Sequence, residues 1–151
     1  ISIHEKDTQI LGECRTGVIL EKCSESKIES TVSSLKMGRC FITNGPLFYI
    51  EAYLEKQYQM GDTVQGNIIK LQINFSSTEE LGNYGVIEVF KGVINDMAET
   101  LIEEIEIKGN QFSSTIEICA RKNMYVRAEF SGNSYRGERI ALTNPIWIKP
   151  S

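Results

Sequence analysis

From residue 38 onward apolar residues recur at every second position, and before it they do not. Ile69, Leu71, Ile73 and Phe75 alternate with Lys70, Gln72 and Asn74, and Met124, Val126, Ala128 and Phe130 alternate with Tyr125, Arg127 and Glu129. A period of two puts each set on one face of a strand, apolar side inward. The same pattern predicts a strand from about Leu47 with Phe48, Ile50, Ala52 and Leu54 sharing a face, and another over 86–91 with Ile87 and Val89 inward. Leu101, Ile105 and Ile107 lie among glutamates, and Gly109-Asn110 then has the signature of a two-residue hairpin returning through Phe112, Ile116 and Ile118. Residues 60–63, 76–85 and 131–134 read as turns or loops, while 92–100 is ambiguous. A closing strand runs from Arg139 to Leu142, is interrupted by Pro145, and finishes at Ile146-Trp147-Ile148.

The first 37 residues read differently. Thr16 to Leu20 has the character of a short strand, and one helix follows. Ser24 or Ser26 suits its N-cap, Ser26 and Glu29 having capping-box spacing, and Gly38 is placed for a left-handed C-cap. Ile28, Val32 and Leu35 fall on one helical face. A helix of about 12 residues is not stable alone, so it must dock on something. Taken together the pattern predicts a mainly β protein: an immunoglobulin-like antiparallel β-sandwich of about seven strands, preceded by one short helix. Two regions are drawn, 1–37 and 38–151.

Bulk composition narrows the function classes. A chain of 151 residues suits one domain with a short appendage. A net charge of −4 without a Lys/Arg cluster argues against nucleic acid. There is no apolar run long enough for a membrane-spanning helix. The chain begins at Ile1, which reads as a processed product or an excised piece, and residues 1–10 lack signal-peptide character. Cys14, Cys23, Cys40 and Cys119 show no C-x-x-C spacing, and free thiols in a cytoplasmic protein are the favoured reading over two disulfides.

No self-sufficient catalytic constellation emerges. His4 is the sole histidine, so it is the one candidate metal ligand or general base of imidazole type. Glu103, Glu104 and Glu106 resemble paired carboxylates, but their alternation with Ile105 and Ile107 makes them a solvated strand face. Asn74-Phe75-Ser76 matches a glycosylation acceptor inside a strand, where chance accounts for it. The six tyrosines could form a sugar-binding platform, with Tyr125 the clearest outward member.

Three segments are similar to one family. Residues 38–46, Gly-Arg-Cys-Phe-Ile-Thr-Asn-Gly-Pro, resemble the "G-R-x-F-x-T-N-G-P" segment that follows the metal-binding domain of a group of PHP-type (polymerase and histidinol phosphatase) hydrolases. Ala141-Leu142-Thr143-Asn144-Pro145-Ile146 resembles the "A-x-T-N-P-I" close of that group's C-terminal β domain, and Met60-Gly61-Asp62-Thr63-Val64 its "P-G-D-x-V" turn, with Met60 in place of proline. The resemblance implies that 1–37 is the end of a PHP α/β barrel and 38–151 the C-terminal β-sandwich domain. It places His4 on the histidine of the family's last Asp-x-His metal motif, residues 12–16 on a "G-x-x-R-T" segment, and the helix as the barrel's last. Ser2 stands where the motif has its Asp.

By that resemblance the parent is a metal-dependent phosphoesterase using divalent ions such as zinc, manganese or iron. This chain would be its non-catalytic accessory domain, inert alone, partnered by the upstream PHP catalytic domain and open to homo-oligomer contacts. On this reading Ile28, Val32 and Leu35 should pack poorly within the chain, because the barrel they cover is missing. Thr43 and Asn44 should be structural, satisfying backbone groups at a turn. The alternative is a stand-alone β-sandwich binding module for carbohydrate or a protein partner.

Overall fold

A computed structural model describes residues 14–20 and 26–151. In chain order the elements are β1 (Arg15–Val18), α1 (Lys27–Met37), β2 (Cys40–Thr43), β3 (Leu47–Tyr53), β4 (Gln57–Gln59), β5 (Thr63–Gln65), β6 (Ile68–Ser76), β7 (Tyr84–Val93), β8 (Glu99–Lys108), β9 (Gln111–Cys119), β10 (Met124–Ser134), β11 (Gly137–Thr143) and β12 (Ile146–Lys149). Eight strands form one sheet and β4-β3-β6-β9 form the other. All pairings are antiparallel except β12 with β5. The protein is the mainly β sandwich that the period of two requires.

β10 is the central strand of the larger sheet. Met124 to Asn133 pair with β7 on one side; on the other, the strand's end pairs with β11 and its start with β12. Pro145, lacking an N–H, falls in the break between β11 and β12, where no ladder bond is lost. Met124, Val126, Ala128 and Phe130 turn inward and are buried, facing Phe48, Ile50, Leu71, Ile73 and Phe75 from the smaller sheet. The Phe75 and Phe130 rings meet at 4.7 Å between the layers. Each such buried side chain larger than alanine contributes about 1.5–3 kcal/mol, so this alternation is what holds the fold.

Among the described residues there are twelve strands against the seven expected in the body: β1 is the short strand expected ahead of them, β2, β4 and β5 are too short to show a period, and Pro145 divides the last one. Leu54, expected inward with Ala52, lies beyond the end of β3 and is exposed. Gly109-Asn110 does not close a hairpin: β8 pairs with β7 in the larger sheet, whereas β9 pairs with β6 in the smaller. The two residues turn a corner between layers, held by Gly109 N donating to Asn83 O and Ser77 N to Asn110 O. A bulge opposite Val89 and Phe90 reverses the parity of β8, so Leu101 faces solvent while Ile102 packs toward the core. β10 also runs through 131–134, the expected turn, and reverses only beyond Ser134.

The helix forms as its ends dictate. Ser26 Oγ accepts from Glu29 N at 3.3 Å, and Gly38 terminates the helix at φ 76°. The helix docks through its small polar face, and the apolar face of Ile28, Val32 and Leu35 is the exposed one. Ser30 and Ser34 are buried, with Ser34 Oγ donating to Ile19 O at 2.7 Å. Small serines let the helix approach the backbone beside β1, which no row of branched apolar side chains would allow.

Candidate functional site

The three segments that carry the family resemblance meet at the C-terminal end of α1. Gly38 O accepts from Asn144 Nδ2 at 3.0 Å, and Gly61 N donates to Pro145 O at 2.8 Å. Asp62 accepts from Gln59 N at 2.8 Å through one oxygen and contacts the Arg39 guanidinium at 3.5 Å through the other. Gly61 is required here twice over: its φ is +85°, and a Cβ would lie 1.7 Å from Met37 O. Met60, which stands in for the motif's proline, is fully buried.

The two Thr-Asn pairs are structural. Thr43 Oγ1 donates to Pro46 O at 2.8 Å and accepts from Gly45 N at 2.9 Å. Asn44 bridges to β11, accepting from Ile140 N at 2.8 Å and donating to Glu138 O at 3.1 Å. Thr143 Oγ1 accepts from Ala128 N at 2.9 Å inside the sheet. These groups fix the angle at which α1 leaves the sandwich.

With its small face inward and its end clamped, α1 turns its apolar stripe outward. Ile28 is 78% exposed, and Val32 and Leu35 are 46% exposed each. These three residues pack poorly against the described residues, as expected from the sequence. Met37 and Leu20 extend the exposed apolar surface at either end of the junction.

The two outer faces of the sandwich differ in chemistry. On the larger sheet, Arg127 lies between Glu99 and Glu129, donating to Glu99 Oε1 through Nε at 2.7 Å and to Glu129 through Nη1. The guanidinium also covers the Phe90 ring at 4.9 Å. The Arg127 hydrogen bond holds the Glu99 carboxyl below its usual range, and the two carboxylates raise Arg127. Tyr125 donates to Glu99 at 2.9 Å, which raises its phenol, and its ring meets Trp147 at 5.5 Å. This is a closed network.

On the smaller sheet the outer face is amide- and hydroxyl-lined. A cleft of about 690 Å³ opens between Ile19, Leu20 and Arg39 on one side and Tyr49, Glu51 and Gln59 on the other. A second depression of about 350 Å³, over Asn74, Gln111 and Ser113, shares Leu47 and Tyr49 with it. Burial, and then the Glu51 charge, raise the Tyr49 phenol, so it stays a hydroxyl.

The candidate residues of the sequence do not assemble into one site. His4 and Ser2 lie outside the described residues. Among the described residues no three His, Cys, Asp or Glu side chains are grouped to hold a metal. His4 alone, with serine at the motif's Asp position, is not a donor set for a hydrolytic divalent ion, which needs three protein ligands and an open position. No hydrolytic step can be written through these residues. Glu103, Glu104 and Glu106 are exposed along β8, with Glu106 paired to Lys108 at 2.8 Å. Cys14, Cys40 and Cys119 are free thiols, and Cys23 lies outside the described residues.

The tyrosines scatter as well. Tyr125 faces out on the larger sheet, Tyr49 and Tyr53 face out on the smaller, and Tyr58 packs against the core. Sequence reasoning missed the Gln59, Gln72 and Asn74 face because polar alternation on one strand does not show which strands will stand beside it. No helix among the described residues is long and apolar enough to cross a membrane. None of the family models, curated proteins or solved structures compared with this chain matches it.

Proposed function

We propose that this chain is the non-catalytic C-terminal accessory β domain of a PHP-type metal-dependent phosphoesterase, and that it packs on the catalytic barrel through α1. The observation that carries the reading is the helix with its serines inward and Ile28, Val32 and Leu35 outward. Exposing three branched apolar side chains gains a lone sandwich nothing, whereas burying each against a partner is worth about 1.5–3 kcal/mol. The clamp between Gly38, Gly61 and Asn144 supports it further, since a fixed helix loses little freedom on docking. The divalent metal ions, zinc, manganese or iron, belong to the barrel on this reading, and the protein works in the cytoplasm.

Two measurements test it. The coding sequence upstream of Ile1 should specify about 150–250 residues bearing repeated His and Asp metal motifs; a frame without them sinks the proposal. The upstream polypeptide, expressed separately, should bind this chain and lose that binding on Val32→Glu. Undiminished binding by Val32→Glu would move the contact away from α1.

A further inference from the structure

We propose a second property, independent of how α1 docks: the outer face of the four-stranded sheet is a binding groove for a neutral saccharide. The groove is the cleft and the depression that meet at Leu47 and Tyr49, about 690 and 350 Å³, both within the size range of small-molecule sites. It crosses β4, β3, β6 and β9, three strand spacings or about 14 Å, which is more than the width of one sugar ring.

Its polar atoms ask for a particular ligand. Gln59 Oε1, in the cleft, is a buried acceptor with no hydrogen-bond donor among the described residues. Asn74 Nδ2, in the depression, is a buried donor with no acceptor among the described residues. The two orphans are of opposite kind and lie on either side of Tyr49, so a ligand completing both must donate at one end and accept at the other. Hydroxyl groups do both. Around them stand further amides and hydroxyls: Gln72 Nε2 donates to Ser113 Oγ at 3.1 Å, and Ser113 Oγ to Asn74 Oδ1 at 3.2 Å. Networks of this kind hold the lining in position before a ligand arrives.

Charge selects a neutral ligand. In the cleft Glu51 already accepts from Tyr53 at 3.1 Å and Gln57 at 2.6 Å, and Asp62 lies against Arg39. The residues lining the depression carry no charge. A phosphate-bearing ligand would meet carboxylates without a basic cluster. An extended peptide would take its backbone bonds from a sheet edge, whereas this groove lies across the face. A sugar ring satisfies the remaining demand, with its C–H face on Leu47 and the half-buried Tyr49 ring and its hydroxyls on the amides.

Titration calorimetry of this chain with cellotetraose, maltotetraose and chitotetraose tests the assignment. At least one of the three should bind, and Gln59→Ala and Asn74→Ala should each weaken it tenfold or more. Trp147→Ala, on the opposite face, should leave it unchanged. Thermal unfolding checks that the variants fold, and the side-chain amide NMR signals of Gln59 and Asn74 in the unaltered chain should shift on titration. No binding of any tetrasaccharide at millimolar concentration overturns the proposal. So does binding that ignores both groove variants, or that depends on Trp147 instead.

Discussion

The same residue types meet opposite fates in two parts of this molecule. Ile50, Leu71 and Val126 lie at 0% exposure between the sheets, while Ile28, Val32 and Leu35 stand in solvent along α1. The strands bury their apolar side because nothing else holds two sheets together. The helix is held by serine contacts, by Gly38 and by Asn144, so its stability within this chain does not depend on its stripe. The difference teaches that apolar periodicity reports which residues share a face without saying whether that face is covered.

Substitutions should separate the two sets sharply. Leu71→Ala removes a fully buried side chain at the centre of the smaller sheet and should cost about 2–5 kcal/mol in urea unfolding. Gly61→Ala should cost about 2–3 kcal/mol, because the new Cβ meets Met37 O and the φ is left-handed. Asn144→Ala leaves Gly38 O without its side-chain donor and should cost about 1–2 kcal/mol, with added fraying of α1 seen by circular dichroism.

Glu99→Gln should cost less than about 1 kcal/mol at neutral pH, as befits a partly exposed ion pair. The sign follows from the depressed Glu99 carboxyl: its stabilisation is present above the ordinary value of 4.5 and is lost as pH falls below that toward the folded value. Unfolding curves of the two proteins should therefore differ at pH 7 and converge in acid. The smallest effect belongs to the helix. The triple change Ile28→Gln, Val32→Gln, Leu35→Gln should alter stability by no more than about 0.5 kcal/mol. A loss of 2 kcal/mol or more would erase the contrast between the two sets and show the stripe packed within the chain.

Much of the sandwich was legible because burial of one face imposes a period of two. The inner faces of β6 and of β10 as far as Phe130 could be drawn residue by residue for that reason. The Gly109-Asn110 corner was not, since a two-residue turn has the same local chemistry whether the next strand returns to its own sheet or crosses to the other. The parity change at Ile102 left no sign in the alternation of β8. For α1 the caps were readable from Ser26 and Gly38, whereas the docking face was not. Periodicity says which residues share a side, and only the tertiary partner says which side is covered. The candidate site was the least legible part. Asn44 and Asn144 act on residues roughly a hundred positions away, and Gln59 and Asn74 meet one groove only because β4, β3 and β6 stand side by side.

The pairing of β1 with β2 carries one more consequence. These strands are antiparallel neighbours, and Ile19 N donates to Arg39 O just beyond their register. In topological terms they are the two legs of a hairpin, and residues 20–38 are an insertion at its tip. Insertions at hairpin tips are tolerated because lengthening a closed loop costs little chain entropy. A short turn joining Ile19 to Arg39 should therefore leave the sheet in register. Residues at such a tip can change without disturbing the strands that carry them.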